Sequence, residues 1–180
     1  MVFGDLRREV GLALPNLSPI YVERCLGLNG REFDLYKLKT MRSGSASREE
    51  IPLTKFNGYG KLDGDERVTF VGRFLRRYWV DELPQIINLK RGDIKLVGVR
   101  PMSEDGWSRY PRNIMDRALQ QKPGLFGVHY ALTNPNSFDK DYLDNLEMYL
   151  DFSEEDQDHA DKVYWNSIIN NIVLRGVRSS

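Results

Sequence analysis

Residues 69–101 read TFVGRFLRRYWVDELPQIINLKRGDIKLVGVRP, and this stretch governs how the rest of the chain is interpreted. It contains an acidic pair, Asp81-Glu82, followed by Pro84 and an apolar run. Proline is tolerated in the first turn of a helix because its missing N–H would be unpaired there anyway. We therefore expect Asp81 at or near a helix N-cap and Glu82 in the first turn, where the helix dipole favours ionised carboxylates.

The residues just before the acidic pair predict a second helix. Four apolar residues recur at helical spacing and form one face: Val71, Phe74, Leu75 and Tyr78. Arg73, Arg76 and Arg77 lie on another face. Arginines that hold an anion, next to a carboxylate that attacks it or binds a metal, suit phosphate chemistry. A helix cap beside a solvated basic face explains the same residues, so local pattern leaves both interpretations open.

Composition indicates a soluble globular protein. The 180 residues are 29% charged and 41% hydrophobic, and this length predicts a single domain over 1–180. Lys+Arg and Asp+Glu are both 26, so net charge gives no sign of a nucleic-acid partner and we expect none.

Cysteine content and hydropathy indicate the compartment. A single cysteine, Cys25, excludes an intramolecular disulfide and fits a reducing environment. It lies in a strand-like run, so we expect packing and not nucleophilic reactivity.

The longest N-terminal apolar stretch, 10–14, is far below the roughly 18 residues that span a bilayer. Within residues 1–18, Leu6, Val10 and Leu14 suggest a short helix. The expected location is cytoplasmic, peripheral at the inner face of the plasma membrane.

Residues 19–41 predict a β-hairpin. Ile20 begins one strand, residues 33–41 form the other, and Asn29-Gly30 between them is a strong tight-turn signal because both residues tolerate positive φ. Lys37 and Lys39 alternate on one face of the second strand, as an exposed edge or an anion contact. We predict an α+β fold in which this N-terminal hairpin packs with several amphipathic helices in a small single domain.

The remaining elements are expected in the following order along the chain. They are a loop at 42–66, a turn at 91–93, a strand at 94–98, a helix at 111–121, an extended run at 125–132, a helix from Ser137 with Leu143, Leu146 and Leu150 inward, and a last helix capped by Ser153 and carrying Val163, Ile168, Ile169, Ile172 and Val173 up to Gly176. His129 in the extended run is expected to be packed. The acidic stretch 139–161 is expected to face solvent.

The combined motifs resemble the bacterial sugar transferase domain of the monotopic polyprenyl-phosphate phosphoglycosyl transferases. Residues 27–42, GLNGREFDLYKLKTMR, are similar to the family's strand ending in K-F-R-T-M. Residues 65–101 align without a gap to R-x-G-x-F-L-R, D-E-L-P-Q, N-x-x-x-G-D and L-V-G-P-R-P. Residues 121–127, QKPGLFG, match R-P-G-I-T-G more weakly. The best-matched core is 19–130, with C-terminal helices over 131–180.

The resemblance implies an activity and a site. Members move a phosphosugar from a UDP-sugar to a polyprenyl phosphate with Mg²⁺, releasing UMP, in exopolysaccharide, O-antigen or glycoconjugate biosynthesis. Asp81 matches the family nucleophile that forms an aspartyl-phosphosugar intermediate, and Glu82 completes the catalytic and metal-binding dyad. Arg76, Arg100 and Lys39 match positions expected to hold phosphate. A membrane protein or a second copy of the chain is a further expected partner.

Several positions depart from the family pattern. The family normally opens with a hydrophobic membrane-embedded helix, and the sequence predicts none here. Lys39 replaces an arginine, Trp79 replaces a small hydroxyl residue, and Val99 replaces a proline. The W-A-Q-V-N-G-R motif is not recognisable in residues 128–134.

Because of these departures, two other hypotheses stay open in addition to the transferase. One is a soluble, non-catalytic relative that binds nucleotide sugar or regulates polysaccharide assembly. The other is a soluble transferase with a water-soluble acceptor.

Overall fold

The N-terminal hairpin is present with the predicted pairing. The structure, a computed structural model, describes residues 19–42, 44, 65–132 and 140–174. Strand β1 (Ile20–Leu26) pairs antiparallel with β2 (Glu32–Leu38), and Cys25 lies opposite Phe33. Asn29 and Gly30 adopt φ values of 57° and 71°, as their turn position requires. The second strand is shorter than predicted, and Met41 instead forms an isolated bridge with Val68.

Helix α1 (Phe70–Arg77) follows the hairpin, with Thr69 as its N-cap: the Thr69 hydroxyl accepts the Gly72 N–H at 2.9 Å. Gly72 is the buried residue of the helix, and a Cβ there would overlap the Thr40 carbonyl oxygen. The helix therefore approaches the end of the hairpin through its glycine. Of the predicted apolar face, Val71, Phe74 and Tyr78 are exposed and Leu75 is half-buried.

The acidic pair lies in a 3₁₀ turn, Val80–Gln85, that continues into helix α2 (Ile86–Arg91). Glu82 is in the first turn, as predicted. Trp79 is the N-cap and Asp81 is the second residue of the turn, so Asp81 lies near the N-cap, as predicted. Gly92 ends α2 with φ of 74°, which confirms the predicted turn at 91–93. The turn packs on β2, which fixes the acidic pair against the hairpin.

A second, parallel pair of strands lies beyond the predicted hairpin. Strand β3 (Lys95–Gly98) pairs with β4 (Gly124–Gly127), with Val97 beside Phe126. Helices α3 (Glu104–Trp107) and α4 (Arg112–Ala118) lie between them in the chain. Gly98 and Gly124 face each other so closely that a side chain at Gly124 would overlap the Gly98 backbone. The predicted extended run ends at Gly127, and Val128–Ala131 is a 3₁₀ turn.

Helices α5 (Lys140–Glu155) and α6 (Gln157–Leu174) complete the main core. The core residues include Val97, Ile114, Leu146, Leu150 and Ile168. Lys95 donates to Asp161 at 2.8 Å, and the Tyr149 hydroxyl donates to the same carboxylate at 2.7 Å. This cluster joins β3 to both C-terminal helices. The structure confirms the α+β class, with an antiparallel hairpin and six α-helices in the described part of the chain.

One prediction about the C-terminal helices is wrong. Ser153 does not cap the last helix, because it lies in the final turn of α5 and its hydroxyl donates to the Leu150 carbonyl. The cap is Asp156, whose carboxylate accepts the His159 N–H at 3.0 Å. Val163 and Val173 are exposed, and the inward face of α6 is Ala160, Tyr164, Ile168 and Asn171.

Some expectations lie outside the described residues. These are the helix within 1–18, nearly all of the 42–66 loop, the turn at 133–136, the helix start at Ser137 and the helix end at Gly176. In the part of the chain that the structure describes, we find no helix with the length and apolar character needed to cross a membrane.

Candidate functional site

The Asp81 carboxylate is only partly satisfied by hydrogen bonds. Its Oδ1 atom is buried and has no hydrogen-bond partner in the structure. Burial raises the pKa of this carboxyl, the neighbouring Glu82 raises it further, and Arg76 and Lys37 act in the opposite direction. A buried carboxylate oxygen without a donor is costly in a folded protein. Such an atom is suited to contact a substrate or a cation.

Glu82 lies next to Asp81 in the chain but has a different partner. Arg100 donates to both of its carboxylate oxygens, at 2.6 and 3.0 Å. The two side chains are only 10% and 21% exposed, so the pair is largely shielded from water. Burial alone would lower the pKa of Arg100, but Glu82, Tyr130 and Asp81 together outweigh burial and the net direction is upward. The predicted phosphate-binding Arg100 is therefore held by the dyad itself.

Arg76 reaches the site from the inward side of α1. Its Nε donates to the Thr40 hydroxyl at 2.9 Å, and Thr40 is buried at the end of the hairpin. Burial lowers the pKa of Arg76, while Asp81 acts to raise it, which shows that the two groups interact electrostatically. The terminal nitrogens of the Arg76 guanidinium have no hydrogen-bond partner among the described residues. Arg76 is the arginine best placed to meet an anion beside Asp81.

Lys37 is a further basic residue of the site: the sequence offered it with Lys39 as an anion contact, but only Lys39 matched the family's phosphate-holding position. It forms a 2.7 Å ion pair with Glu23, and its charge also interacts with Arg100 and Glu82. Lys39, which was selected, lies just beyond β2 and is exposed. A signal for Lys37 did exist. The Asn29-Gly30 turn sets a register in which Glu23 and Lys37 are diagonal neighbours on one face of the hairpin.

Trp79 joins α1 to the acidic turn in a backbone conformation that is rare for large side chains. Its φ and ψ are 56° and 15°, in the left-handed region. Its carbonyl accepts the Glu82 N–H at 3.1 Å, and its ring packs edge-to-face on Tyr130 with centroids 5.6 Å apart. The reversal at Trp79 lets the chain turn so that Arg76 and Asp81 lie near each other.

The Val128–Ala131 turn forms an aromatic wall beside the site. His129 and Tyr130 are buried, and their ring centroids are 4.1 Å apart, which confirms that His129 is packed. The Asn171 side chain donates to three successive carbonyl groups of 130–132, at 2.8 to 3.1 Å. Helix α6 thereby holds the wall in place.

Cys25 is not a reactive thiol. It is fully buried in β1, and burial together with the Glu23 charge raises its thiol pKa to about 12. The thiolate is therefore negligible at neutral pH, and the prediction that Cys25 packs the hairpin is confirmed.

The donor set for a cation is small. Among the described residues, no group of three or more His, Cys, Asp or Glu side chains is arranged to hold a metal ion. Asp81 Oδ1 is the unsatisfied carboxylate oxygen, because both oxygens of Glu82 are bound by Arg100. Mg²⁺ commonly uses one or two carboxylates and completes its shell with substrate phosphates and water. The site fits that mode, with Asp81 as the protein ligand.

The site thus combines one unsatisfied carboxylate, a carboxylate locked by arginine, and the basic residues Arg76 and Lys37. That combination defines a class of protein that handles anionic, phosphate-bearing substrates. Residues 10–156 match the family described as bacterial sugar transferase. The chain belongs to this family, as the sequence motifs predicted.

Curated relatives carry consistent names. The chain is 34% identical over 132 residues to a galactosyl transferase, CpsE, of Streptococcus agalactiae, covering 72% of this chain and 29% of that one. It is 35% identical to the undecaprenyl-phosphate galactose phosphotransferase of Salmonella typhimurium, covering 68% and 27%. It is 41% identical to the UDP-glucose:undecaprenyl-phosphate glucose-1-phosphate transferase of Caulobacter vibrioides, covering 71% and 46%. The chain therefore spans less than half the length of these three relatives.

Proposed function

We propose that this chain is a phosphoglycosyl transferase that moves a phosphosugar from a UDP-sugar to a polyprenyl phosphate, in the synthesis of a surface polysaccharide or glycoconjugate. The observation that carries the proposal is the contrast within the dyad. Asp81 has a buried oxygen without a partner, while Arg100 holds both oxygens of Glu82. The names of the relatives support the substrate classes.

The first chemical step is assigned to Asp81. One carboxylate oxygen attacks the phosphorus that carries the sugar, a new O–P bond forms, and the bond from that phosphorus to UMP breaks. The bonding electrons leave with UMP. The product on the protein is a mixed anhydride between Asp81 and the phosphosugar. Arg76 lies where it balances the charge that develops on the phosphate oxygens.

The second step regenerates the enzyme. An oxygen of the polyprenyl phosphate attacks the phosphorus of the aspartyl intermediate, forms the lipid diphosphosugar and releases the Asp81 carboxylate. Asp81, with phosphate oxygens of the substrate, would hold Mg²⁺, which would supply charge neutralisation. Glu82 and Arg100 keep the turn in position, and Trp79 sets its direction.

The test is UMP release from a panel of UDP-sugars by the purified chain with Mg²⁺ and a polyprenyl phosphate in detergent. Asp81→Asn removes the nucleophile and should lower the rate by about a thousandfold or more. Asp116→Asn is the matched control, since Asp116 is exposed on α4 and should leave the rate unchanged. UMP release that Asp81→Asn does not reduce would contradict the proposal. Binding of a UDP-sugar without release by the unaltered chain would favour the non-catalytic relative.

A further inference from the structure

The Val128–Ala131 turn lies against both residues that orient the acidic turn. The ring of Tyr130 packs edge-to-face on Trp79, with centroids 5.6 Å apart. The phenol group of Tyr130 also interacts with Arg100, where it helps to raise the pKa of the guanidinium. Trp79 sets the direction of the acidic turn, and Arg100 binds Glu82 within it. Tyr130 is only 2% exposed, so it links these two supports of the acidic turn from inside the core.

Strand β4, which leads into this turn, encloses Arg100 as well. Arg100 Nη1 donates to the Leu125 carbonyl at 3.4 Å, in addition to its bonds with Glu82. At Gly127 the backbone approaches so closely that a Cβ would overlap Arg100 Cγ and the His129 ring. A movement of this segment would therefore displace Arg100, and with it the carboxylate that Arg100 holds.

Asparagine side chains of the two C-terminal helices hold the turn in place. Asn171 Nδ2, from α6, donates to the carbonyl oxygens of residues 130, 131 and 132 at 3.0, 2.8 and 3.1 Å. Asn145 Nδ2, from α5, donates to the Val128 carbonyl at 3.4 Å. Four of the five carbonyl groups from 128 to 132 are thus bound by side chains of other helices. Asn171 is 6% exposed, so its loss would leave three carbonyl groups without a donor in the core.

We propose that Tyr130 is a positioning residue for Asp81, and that Asn171 acts on the reaction by fixing Tyr130. The proposal rests on the proposed function, because the reaction concerned is attack by Asp81 on phosphorus. The left-handed conformation of Trp79 is unfavourable for a large side chain and persists only where the surroundings enforce it. The packed Tyr130 ring enforces it here. When that ring is released, the acidic turn relaxes and the Asp81 oxygen leaves its line of attack, and a misplacement of about 1 Å can cost about a hundredfold in rate.

The kinetic test is UMP release by the full chain with Mg²⁺, a UDP-sugar and a polyprenyl phosphate in detergent. Tyr130→Leu and Asn171→Ala should each lower kcat by about tenfold or more, because the line of attack is disturbed. The KM for the UDP-sugar should change by less than about threefold, because Arg76 and Asp81 remain. Tyr130→Phe keeps a ring against Trp79 and should retain the kcat of the unaltered chain. The double variant Tyr130→Leu/Asn171→Ala should be no slower than the slower single variant, since both changes disturb the same contact.

A matched control loses a buried hydrogen bond elsewhere in the same core. Tyr149→Phe removes the bond from the Tyr149 hydroxyl to Asp161, and it should lower stability while leaving kcat unchanged. If Tyr149→Phe lowers kcat as much as Asn171→Ala does, or if the losses of the two single variants add in the double variant, the proposal is overturned. In either case the residues would act through stability alone.

Fluorine NMR of the chain labelled with 5-fluorotryptophan tests the contact without any substrate. Trp79→Phe identifies the Trp79 resonance among those of the three tryptophans. Asn171→Ala and Tyr130→Leu should shift this resonance, and Tyr149→Phe should not. A resonance that Asn171→Ala leaves in place would overturn the proposal. A resonance that shifts in a chain that releases no UMP from any donor would contradict the proposed function but confirm that Asn171 controls the conformation at Trp79, so the two failures are separable.

Discussion

At the residue scale, Asp81 and Glu82 are adjacent in sequence, but the structure gives their carboxylates different surroundings. Arg100 holds both oxygens of Glu82, whereas Asp81 retains an oxygen without a donor. Two neighbouring acids in unlike environments can take separate roles. We assign attack on phosphorus to Asp81 and support of the turn to Glu82.

The Glu82–Arg100 pair gives a stability prediction. Glu82→Gln removes the counterion of a mostly buried guanidinium and should destabilise the fold by about 3 kcal/mol, because an uncompensated charge remains. Replacing both partners, Glu82→Gln with Arg100→Met, removes the stranded charge and should recover part of that loss. Urea unfolding measures both variants. A double variant that is no more stable than Glu82→Gln alone would contradict this account.

The raised pKa of Asp81 predicts a pH dependence of stability. Since the native state favours the protonated carboxyl, stability is fully present below the ordinary aspartate pKa, near 4, and declines as pH rises through the native value. Asp81→Asn removes this cost and should be more stable than the unaltered chain at pH about 7. The difference should vanish at pH about 3.5. Thermal melts at the two pH values measure it, and a less stable Asn variant at neutral pH would refute it.

The sequence could identify some of these residues and not others. The match to the family's motifs within residues 69–101 selected Asp81, Glu82, Arg76 and Arg100, because local pattern alone left a helix cap beside a basic face equally open. The motifs could not show that Arg100 binds Glu82, because side-chain pairing depends on how β3 meets the acidic turn. Lys39 was selected over Lys37 because Lys39 occupies the position of the family's arginine, and a motif match does not show which of the two lysines is buried beside the site.

At the element scale, α1 shows why an apolar stripe does not by itself reveal the buried side of a helix. The periodicity of Val71, Phe74 and Tyr78 correctly predicts a helix, yet these residues are exposed. Gly72 allows the helix backbone to approach Thr40, and Arg76 finds a partner on that side. A close backbone contact and one hydrogen bond therefore place Gly72 and Arg76 on the inward side of α1. Hydrophobicity alone would predict the opposite orientation, with the apolar stripe inward.

Gly72→Ala tests that orientation. Alanine is the better helix former, by about 1 kcal/mol, but the added methyl group overlaps the Thr40 carbonyl. We expect net destabilisation of about 2 kcal/mol, and a weaker hold on Arg76. Val71→Ala, one position earlier and exposed, should change stability little. Urea unfolding of both variants separates the effect of helix propensity from the effect of the overlap with Thr40. A stabilised Gly72→Ala variant would show that α1 does not pack through its glycine.

The C-terminal helices show a different limit of sequence reasoning. The inward face of α6 includes Tyr164 and Asn171, whose polar atoms bond to the Asn145 carbonyl and to the backbone of 130–132. A hydrophobic pattern favours Val163 and Val173 over such residues. Their burial depends on partners that lie 19 and 41 residues away in the chain. Only the tertiary structure brings these partners together.

At the scale of the whole molecule, the site forms where separate parts of the chain meet. The hairpin supplies Lys37 and Thr40, the central segment supplies Arg76 and the acidic turn, and β3 leads to Arg100. The predicted α+β class and hairpin are confirmed, while the parallel β3–β4 pairing was not predicted because it joins segments separated by two helices.

The most direct test of the central claim is the intact mass of the chain after brief incubation with a UDP-sugar and Mg²⁺, without acceptor. We predict a mass increase equal to one phosphosugar, located on Asp81 by peptide mapping, absent in Asp81→Asn, and removed when polyprenyl phosphate is added. UMP release without any adduct, or an adduct that persists in Asp81→Asn, would contradict the assignment of Asp81 as the nucleophile.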